Sequence, residues 1–233
     1  MAKQKNAQKI QDQTSLYSWF KGKKIAFIGD SVTADLTGNY VTMVADRLAS
    51  LLDASSIEII NSGVDSSSVL DALDRLPDVL IESDPDVFVF FLGINDSKIF
   101  RQIDRPLLSS TEFEKSYTSL LDLADAERQR LKILVTIPPL LFEKIKNGTL
   151  LEKYWYWIPA DYEKYVKAIR KIAIRKNCVI ADVYNQFQNP NTKLDKLFKD
   201  DGVHPNIYGH RLIADTVMKS LLNLCNNRSM SAD

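Results

Sequence analysis

"KIAFIGDSV", residues 24–32, is a run of four apolar side chains that ends abruptly in Gly29, Asp30 and Ser31. A nearly continuous apolar run of this length is typical of a strand covered on both faces, as in a parallel sheet. Gly, Asp and Ser are residues with which a chain commonly turns after a strand. Ser31 is therefore open to three interpretations: a turn residue, part of an anion cradle, or a nucleophile.

Four more apolar runs of strand length follow, and helical patterns separate them. The predicted strands are residues 24–29, 57–60, 86–93, 131–137 and 178–183. The helical stripes, with apolar residues three or four apart, run through Tyr40, Val44, Leu48 and Leu51; Val69, Leu73 and Leu76; Tyr117, Leu120 and Ala124; Tyr162, Val166, Ile169 and Ala173; and Ile213, Val217, Leu221 and Leu224. This alternation predicts right-handed crossovers and an α/β fold, a three-layer α/β/α sandwich around a parallel sheet of about five strands.

The chain shows no internal repeat and no low-complexity linker, so we expect one domain over residues 21–226. A polar extension, residues 1–20, would precede it, and residues 227–233 would form a tail. Two connections, 97–110 and 138–160, are long for a compact domain. Both leave the carboxyl ends of predicted strands, where open α/β sheets bind ligands.

Composition excludes some classes of function. Lys plus Arg and Asp plus Glu both number 30, so the balanced charge gives no reason to expect a nucleic acid or an anionic membrane as partner. Cys178 and Cys225 lie in no metal-ligand spacing and predict no disulfide scaffold. The N-terminal residues lack a signal peptide's apolar core, and no window approaches the ~18 apolar residues of a membrane span. We therefore expect a cytoplasmic protein without stable membrane insertion.

Five polar or small residues follow predicted strands. Ser31, Gly63 and Asn95 stand just past the first, second and third strands, and Asp201 and His204 follow the fifth. In a parallel sheet these positions project over one edge. His204 could accept the Ser31 proton while Asp201 orients its ring. The backbone N–H groups of Ser31 and Gly63 and the Asn95 amide could donate to an oxyanion.

Four blocks around these residues lead to a family. They are "GDSV" (29–32), "NSGVDSSS" (61–68), "GIND" (93–96) and "DGVHPN" (201–206). In this order, and over roughly residues 24–225, they resemble the SGNH hydrolases, also called GDSL esterases and lipases. The first block departs slightly, with Val32 where the family name has Leu.

The resemblance implies a flavodoxin-like sheet and an esterase that needs no metal or organic cofactor. It implies Ser31 as nucleophile, His204 as base and Asp201 as the partner of His204. Gly63 and Asn95, with the N–H of Ser31, would form the oxyanion hole.

Neighbouring residues compete for some of these roles. We interpret Asp30 as structural, bonding backbone around the turn, and Asp96 as local support for Asn95. His210, the only other histidine, fits a surface or packing position within the last helix. Asp200 competes with Asp201, but the "DGVH" spacing favours Asp201.

The substrate is the least determined feature. Phe100, Tyr154, Trp155 and Trp157 either line a substrate pocket or belong to a lid that packs on the core. We expect a small-molecule ester, with short-chain acyl or acetyl groups and possibly an acetylated carbohydrate. An O-acyltransferase, a thioesterase or a lysophospholipase would use the same residues, and an anion-binding module remains the non-catalytic alternative. The oligomeric state stays open.

Overall fold

The computed structural model describes residues 19–35, 38–51, 57–146, 154–189, 191 and 193–229. A five-stranded parallel sheet forms its centre. The strands are β1 (Lys23–Gly29), β2 (Ile57–Gly63), β3 (Val87–Phe91), β4 (Leu131–Val135) and β5 (Val179–Ala181). Their order across the sheet is β2-β1-β3-β4-β5, which is the flavodoxin-like order. The predicted sheet is confirmed.

Helices cover the sheet in two groups. In the described ranges the α-helices are α1 (Ser31–Ala34), α2 (Tyr40–Leu51), α3 (Val69–Ser83), α4 (Ser110–Ala124), α5 (Phe142–Lys146), α6 (Pro159–Arg175), α7 (Val183–Phe187) and α8 (Ile207–Ser229). Helix α2 packs against α8, while α4 packs against both α3 and α6. Every residue of β3 is buried, because the central strand has a helix layer on each face. The three-layer α/β/α sandwich is therefore also confirmed.

The register of β1 and β2 places the sequence blocks 29–32 and 61–68 side by side. Strand β2 runs three residues beyond the predicted Ile60, because its pairing with β1 continues until Gly63 lies opposite Gly29. Both chains then leave the sheet at the same edge. The polar residues that follow them are brought close together by backbone pairing alone.

The two long connections meet in a small outer sheet that the sequence did not predict. Ile99–Phe100 pairs antiparallel with Arg105–Pro106 and with Trp155–Tyr156. Strands of two residues carry too little alternation to be recognised, and the pairing with Trp155–Tyr156 joins segments far apart in sequence. Residues 147–153 of the second connection lie outside the described residues.

Ordered structure extends slightly beyond both limits of the predicted domain, residues 21–226. Phe20, assigned to the extension, is fully buried in the core, and Trp19 packs against that core. Helix α8 continues to Ser229, into the predicted tail. The rest of the predicted extension, residues 1–18, lies outside the described residues. None of the helices in the described ranges has the length and apolar character needed to cross a bilayer.

Candidate active site

The turn after β1 presents Ser31 at the sheet edge. Asp30 caps helix α1, and its Oδ1 accepts the N–H of Val32 at 3.0 Å. The backbone oxygen of Asp30 accepts the N–H groups of Thr33 and Ala34 at 3.0 and 2.9 Å. These bonds close the turn tightly, so Ser31 occupies the first position of a very short helix, with its side chain lining a cleft.

Ser31, His204 and Asp201 form a continuous hydrogen-bonded chain. The Oγ of Ser31 lies 2.9 Å from Nε2 of His204, although 173 positions separate them. The other ring nitrogen, Nδ1, lies 2.7 Å from Oδ2 of Asp201. The arrangement can move a proton from the hydroxyl to the imidazole and stabilise the positive ring that results.

The carboxylate of Asp201 is held in its ionised form. Partial burial by itself would raise its pKa, but hydrogen bonds from the His204 ring and from the backbone N–H groups of His204 and Val203 outweigh burial and lower the pKa to about 2. Its neighbour Asp200 is fully exposed and lies 3.8 Å from the ammonium nitrogen of Lys144. Of the two carboxylates, only Asp201 contacts the histidine ring.

Two candidate oxyanion donors line the same cleft as Ser31. The N–H of Gly63 bonds to Oδ1 of Asn61 at 3.0 Å. The Nδ2 of Asn95 donates to the backbone oxygen of Ser67 at 3.0 Å and to Oδ2 of Asp30 at 3.3 Å. Gly63 and Asn95 thus have internal acceptors in this structure, and a substrate oxygen would share or replace these bonds.

Gly63 is required by a close approach of two backbones. A Cβ at this position would lie 2.4 Å from the backbone nitrogen of Ala34 and 2.5 Å from the carbonyl carbon of Thr33. Any side chain would therefore push the end of β2 away from α1, the helix that carries Ser31. The glycine keeps the donor and the hydroxyl on adjoining segments.

Comparison with known proteins places the chain in a family. The model of the GDSL-like lipase/acylhydrolase family matches residues 27–212, which is most of the chain. The chain belongs to the GDSL-like lipase/acylhydrolase family. The resemblance inferred from the four blocks is thereby confirmed, and this GDSL-like protein is an ester-hydrolysing enzyme.

Individual relatives are similar at low identity. An acetylxylan esterase of Geobacillus stearothermophilus is 23% identical over 219 residues, covering 86% of this chain and 94% of the relative. A lipase/acylhydrolase from Enterococcus faecalis superposes with a TM-score of 0.70 at 21% identity, covering 86% and 96% of the two chains. An acetyl xylan esterase, AlAXEase, superposes with a TM-score of 0.67 at 27% identity, covering 84% and 98%.

The cleft of the GDSL-like protein is broad and encloses about 830 Å³. Two of the four aromatic residues singled out from the sequence, Trp155 and Trp157, line it. Phe100 instead packs edge-on against Trp155, with ring centroids 6.5 Å apart. Tyr154 is half exposed, and neither it nor Phe100 is among the described residues that line the cleft.

The two tryptophans differ in how firmly they are held. Trp157 is buried and donates its Nε1–H to the backbone oxygen of Ile94 at 3.2 Å. Trp155 is partly exposed, and the ammonium nitrogen of Lys98 lies 4.9 Å from its ring centroid. Trp155 and Lys98 therefore border the cleft together, with the ammonium group over the indole ring.

Two buried carboxyl groups lie beneath the site. Burial raises the pKa of Asp30 to about 6, against the lowering effect of the bond from Val32. Burial likewise raises the pKa of Asp96 to about 7. Asp96, for which we expected a local supporting role, accepts the N–H of Val69 at 2.9 Å and so anchors the start of α3. Asp30 bonds the turn backbone as expected and also contacts Asn95.

His210 is buried in α8 and does not line the cleft. Burial lowers its pKa to about 4, so it is neutral at physiological pH. This is the packing alternative that the sequence left open. Within the described residues, no three His, Cys, Asp or Glu side chains lie close enough to hold a metal ion.

Sequence reasoning missed several residues that support the donors. Asn61 bonds Gly63, Ser67 bonds Asn95, and Arg75 contacts the segments that carry them. Asn61 and Ser67 lie inside the quoted block 61–68, so their position was the available signal. Arg75 lies in a charged stretch of α3 and shows no pattern that distinguishes it from a solvent-facing residue.

Proposed function

We propose that this enzyme hydrolyses short-chain acyl esters, with acetyl esters of hydrophilic alcohols such as acetylated carbohydrates as the preferred class, through an acyl-enzyme on Ser31. The observation that carries the proposal is the chain of contacts from Ser31 Oγ through the His204 ring to Asp201, at 2.9 and 2.7 Å. A neutral hydroxyl is a poor nucleophile, and this arrangement is what activates it.

In the first half of the reaction, Ser31 Oγ attacks the acyl carbon while Nε2 of His204 accepts the hydroxyl proton. The tetrahedral oxygen receives hydrogen bonds from the N–H groups of Ser31 and Gly63 and from the Asn95 amide. The intermediate then collapses, the alcohol leaves with the proton from His204, and the acyl group remains on Ser31. Asp201, ionised throughout, stabilises the positive ring in between.

In the second half, a water molecule loses a proton to His204 as it attacks the acyl carbon of the Ser31 ester. A second tetrahedral oxyanion forms in the same donor set. Its collapse breaks the bond to Ser31, whose oxygen takes the proton back from His204. The carboxylic acid is released and the hydroxyl is restored.

The preference for short acyl groups is supported by what lines the cleft. Charged side chains interrupt its apolar surface; they are those of Asp35, Asp65, Lys98, Lys199 and Asp201. A fatty acyl chain needs a continuous apolar channel, since burying it against charges forfeits its transfer free energy. Aromatic faces such as that of Trp155 suit sugar rings. The two acetylxylan esterases among the relatives support the same class.

The test compares wild type with Ser31→Ala on p-nitrophenyl acetate and p-nitrophenyl palmitate. We expect the wild type to favour the acetate and the variant to lose turnover of both, together with labelling by a fluorophosphonate probe. Ser50→Ala, an exposed serine on α2, is the control and should behave as wild type. Undiminished turnover by Ser31→Ala would overturn the mechanism, and preferential cleavage of the palmitate would overturn the acyl-length assignment.

A further inference from the structure

Arg75 lies behind the oxyanion donors and touches three segments at once. One guanidinium nitrogen, Nη2, donates to the backbone oxygen of Gly29 at 2.8 Å and to that of Ser62 at 3.4 Å. The other, Nη1, donates to the hydroxyl oxygen of Ser67. All three acceptors among the described residues are uncharged oxygens of the site, and the carboxylates of Asp71 and Asp30 lie near enough to interact electrostatically with the guanidinium.

Each acceptor belongs to a segment that carries part of the proposed machinery. Gly29 ends β1, two positions before Ser31. Ser62 precedes Gly63, and Ser67 supplies the backbone oxygen that holds the Asn95 amide at 3.0 Å. A single planar cation therefore sets the relative positions of the nucleophile turn and both donors.

The contact between Arg75 and the carbonyl of Ser62 can also polarise the N–H of Gly63. The carbonyl of Ser62 and the N–H of Gly63 belong to the same peptide group. A cationic donor on the carbonyl oxygen withdraws electron density from the peptide and makes its N–H a stronger hydrogen-bond donor. Arg75 can thus strengthen the bond from Gly63 to an oxyanion without touching the substrate.

We propose that Arg75 is a positioning residue of the oxyanion hole, which aligns Gly63 and Asn95 and polarises the Gly63 peptide. The inference rests on the proposed esterase function. Arg75 would stabilise the transition state more than the bound substrate, because negative charge on the carbonyl oxygen of the substrate develops only in the transition state. Loss of Arg75 should therefore lower kcat and leave KM nearly unchanged.

Arg130 provides a matched control for a merely structural role. Its buried guanidinium also donates to backbone oxygens, those of Pro85 at 3.1 Å and Ala124 at 2.8 Å, and it bonds to Asp84. Arg130 directly precedes β4, at the amino end of that strand, and so lies at the opposite edge of the sheet from the cleft. Replacing it removes a comparable clamp far from the candidate site.

The experiment measures kcat and KM on p-nitrophenyl acetate for Arg75→Met, Arg75→Lys and Arg130→Met, each at a temperature where the variant is folded. We expect Arg75→Met to lose roughly 10- to 100-fold in kcat, with KM within about threefold. Arg75→Lys should be intermediate, because an ammonium cannot reach three acceptors with a planar fork. Arg130→Met should lose stability and keep its kcat.

Two further measurements sharpen the result. The double variant Arg75→Met with Asn95→Ala should lose less than the product of the single losses, because Arg75 acts partly through Asn95. The backbone amide proton of Gly63, followed by NMR, should shift in Arg75→Lys and stay in place in Arg130→Met.

An unchanged kcat in Arg75→Met, a loss confined to KM, or equal kcat losses in the Arg75 and Arg130 variants would each overturn the positioning role. If Arg75→Met does not fold, Arg75→Lys is judged by the same criteria. The amide shift needs no substrate, so it separates the two proposals. A shifted Gly63 resonance in an enzyme that cleaves no ester would contradict the proposed function, whereas a static resonance in an active enzyme would contradict the role of Arg75.

Discussion

The carboxylate of Asp201 holds His204 at two points. Its Oδ2 lies 2.7 Å from the ring Nδ1, and its Oδ1 accepts the backbone N–H of the same residue at 2.9 Å. The bond to the backbone N–H fixes the position of the His204 main chain. The bond to Nδ1 fixes the orientation of the imidazole ring. Nε2 is left facing Ser31 in the form that accepts a proton.

Asp201→Asn should lower kcat on the order of 10³- to 10⁴-fold, because an amide can donate to Nδ1 and so stabilise the wrong tautomer. The fall is measured as steady-state hydrolysis of p-nitrophenyl acetate at neutral pH. Asp200→Asn changes the adjacent exposed carboxylate and is the control, with activity near wild type. Comparable losses in the two variants would contradict the assignment of Asp201.

Asp30→Asn should change how stability depends on pH. Burial raises the pKa of Asp30 in the folded protein to about 6, from an ordinary value of 3.8. Between about pH 4 and pH 6 the folded state thus binds more protons than the unfolded state, so this carboxyl makes the wild type progressively less stable as pH rises. The variant lacks that contribution.

The measurement is the urea midpoint of both proteins from pH 4 to pH 7. The stability of Asp30→Asn relative to wild type should rise through the lower part of this range and level off above about pH 6. Asp65→Asn removes an exposed carboxylate of the same cleft and should follow the wild-type curve. A difference that is independent of pH would show that folding does not raise the pKa of Asp30.

Gly63→Ala should damage the site through sterics. The added Cβ meets the backbone of Thr33 and Ala34 at 2.4–2.5 Å, so β2 and α1 must separate and the donor moves away from Ser31. We expect kcat/KM to fall on the order of 100-fold or more, since a displaced oxyanion donor acts like a missing one. Ser62→Ala adds no atom at the neighbouring position and is the control; equal activity of the two variants would contradict the argument.

Trp155→Ala should weaken binding of the alcohol part of the substrate without slowing the chemical step. We expect KM for an acetylated xylooligosaccharide to rise roughly 3- to 10-fold, through loss of an aromatic face, with little change on p-nitrophenyl acetate. Tyr154→Ala alters the adjacent half-exposed ring outside the cleft lining and should leave both substrates unaffected. Equal losses on both substrates would instead indicate that Trp155 serves the packing of the outer sheet.

Much of the fold could be predicted because its three central strands, β1, β3 and β4, are largely buried on both faces. Their apolar runs, such as that of β3, have no alternation to confuse with a surface strand, and amphipathic helices separate them. The outer sheet escaped prediction because each of its strands has two residues. Its existence depends on two connections meeting in space, which no local pattern records.

The candidate site, too, could be predicted only in part. Ser31, Gly63 and Asn95 were recognisable because each lies at or shortly after the carboxyl end of a strand of one parallel sheet and belongs to a family block. Arg75 was not recognisable, since its partners are a hydroxyl oxygen and two backbone oxygens of segments that precede it by 8 to 46 positions. The contact of Asp96 with the start of α3 was missed for the same reason.

The amino-acid sequence by itself determined the α/β class, the order of strands and helices, and which polar residues gather at the carboxyl edge of the sheet. These follow from apolar periodicity and the chirality of crossovers, which act over a few residues at a time. Only the tertiary structure decided that His204 reaches Ser31, that Trp155 lines the cleft while Phe100 lies behind it, and that Arg75 joins three segments. Such contacts depend on strand register and helix packing, where a shift of one residue would separate atoms that now lie 3 Å apart.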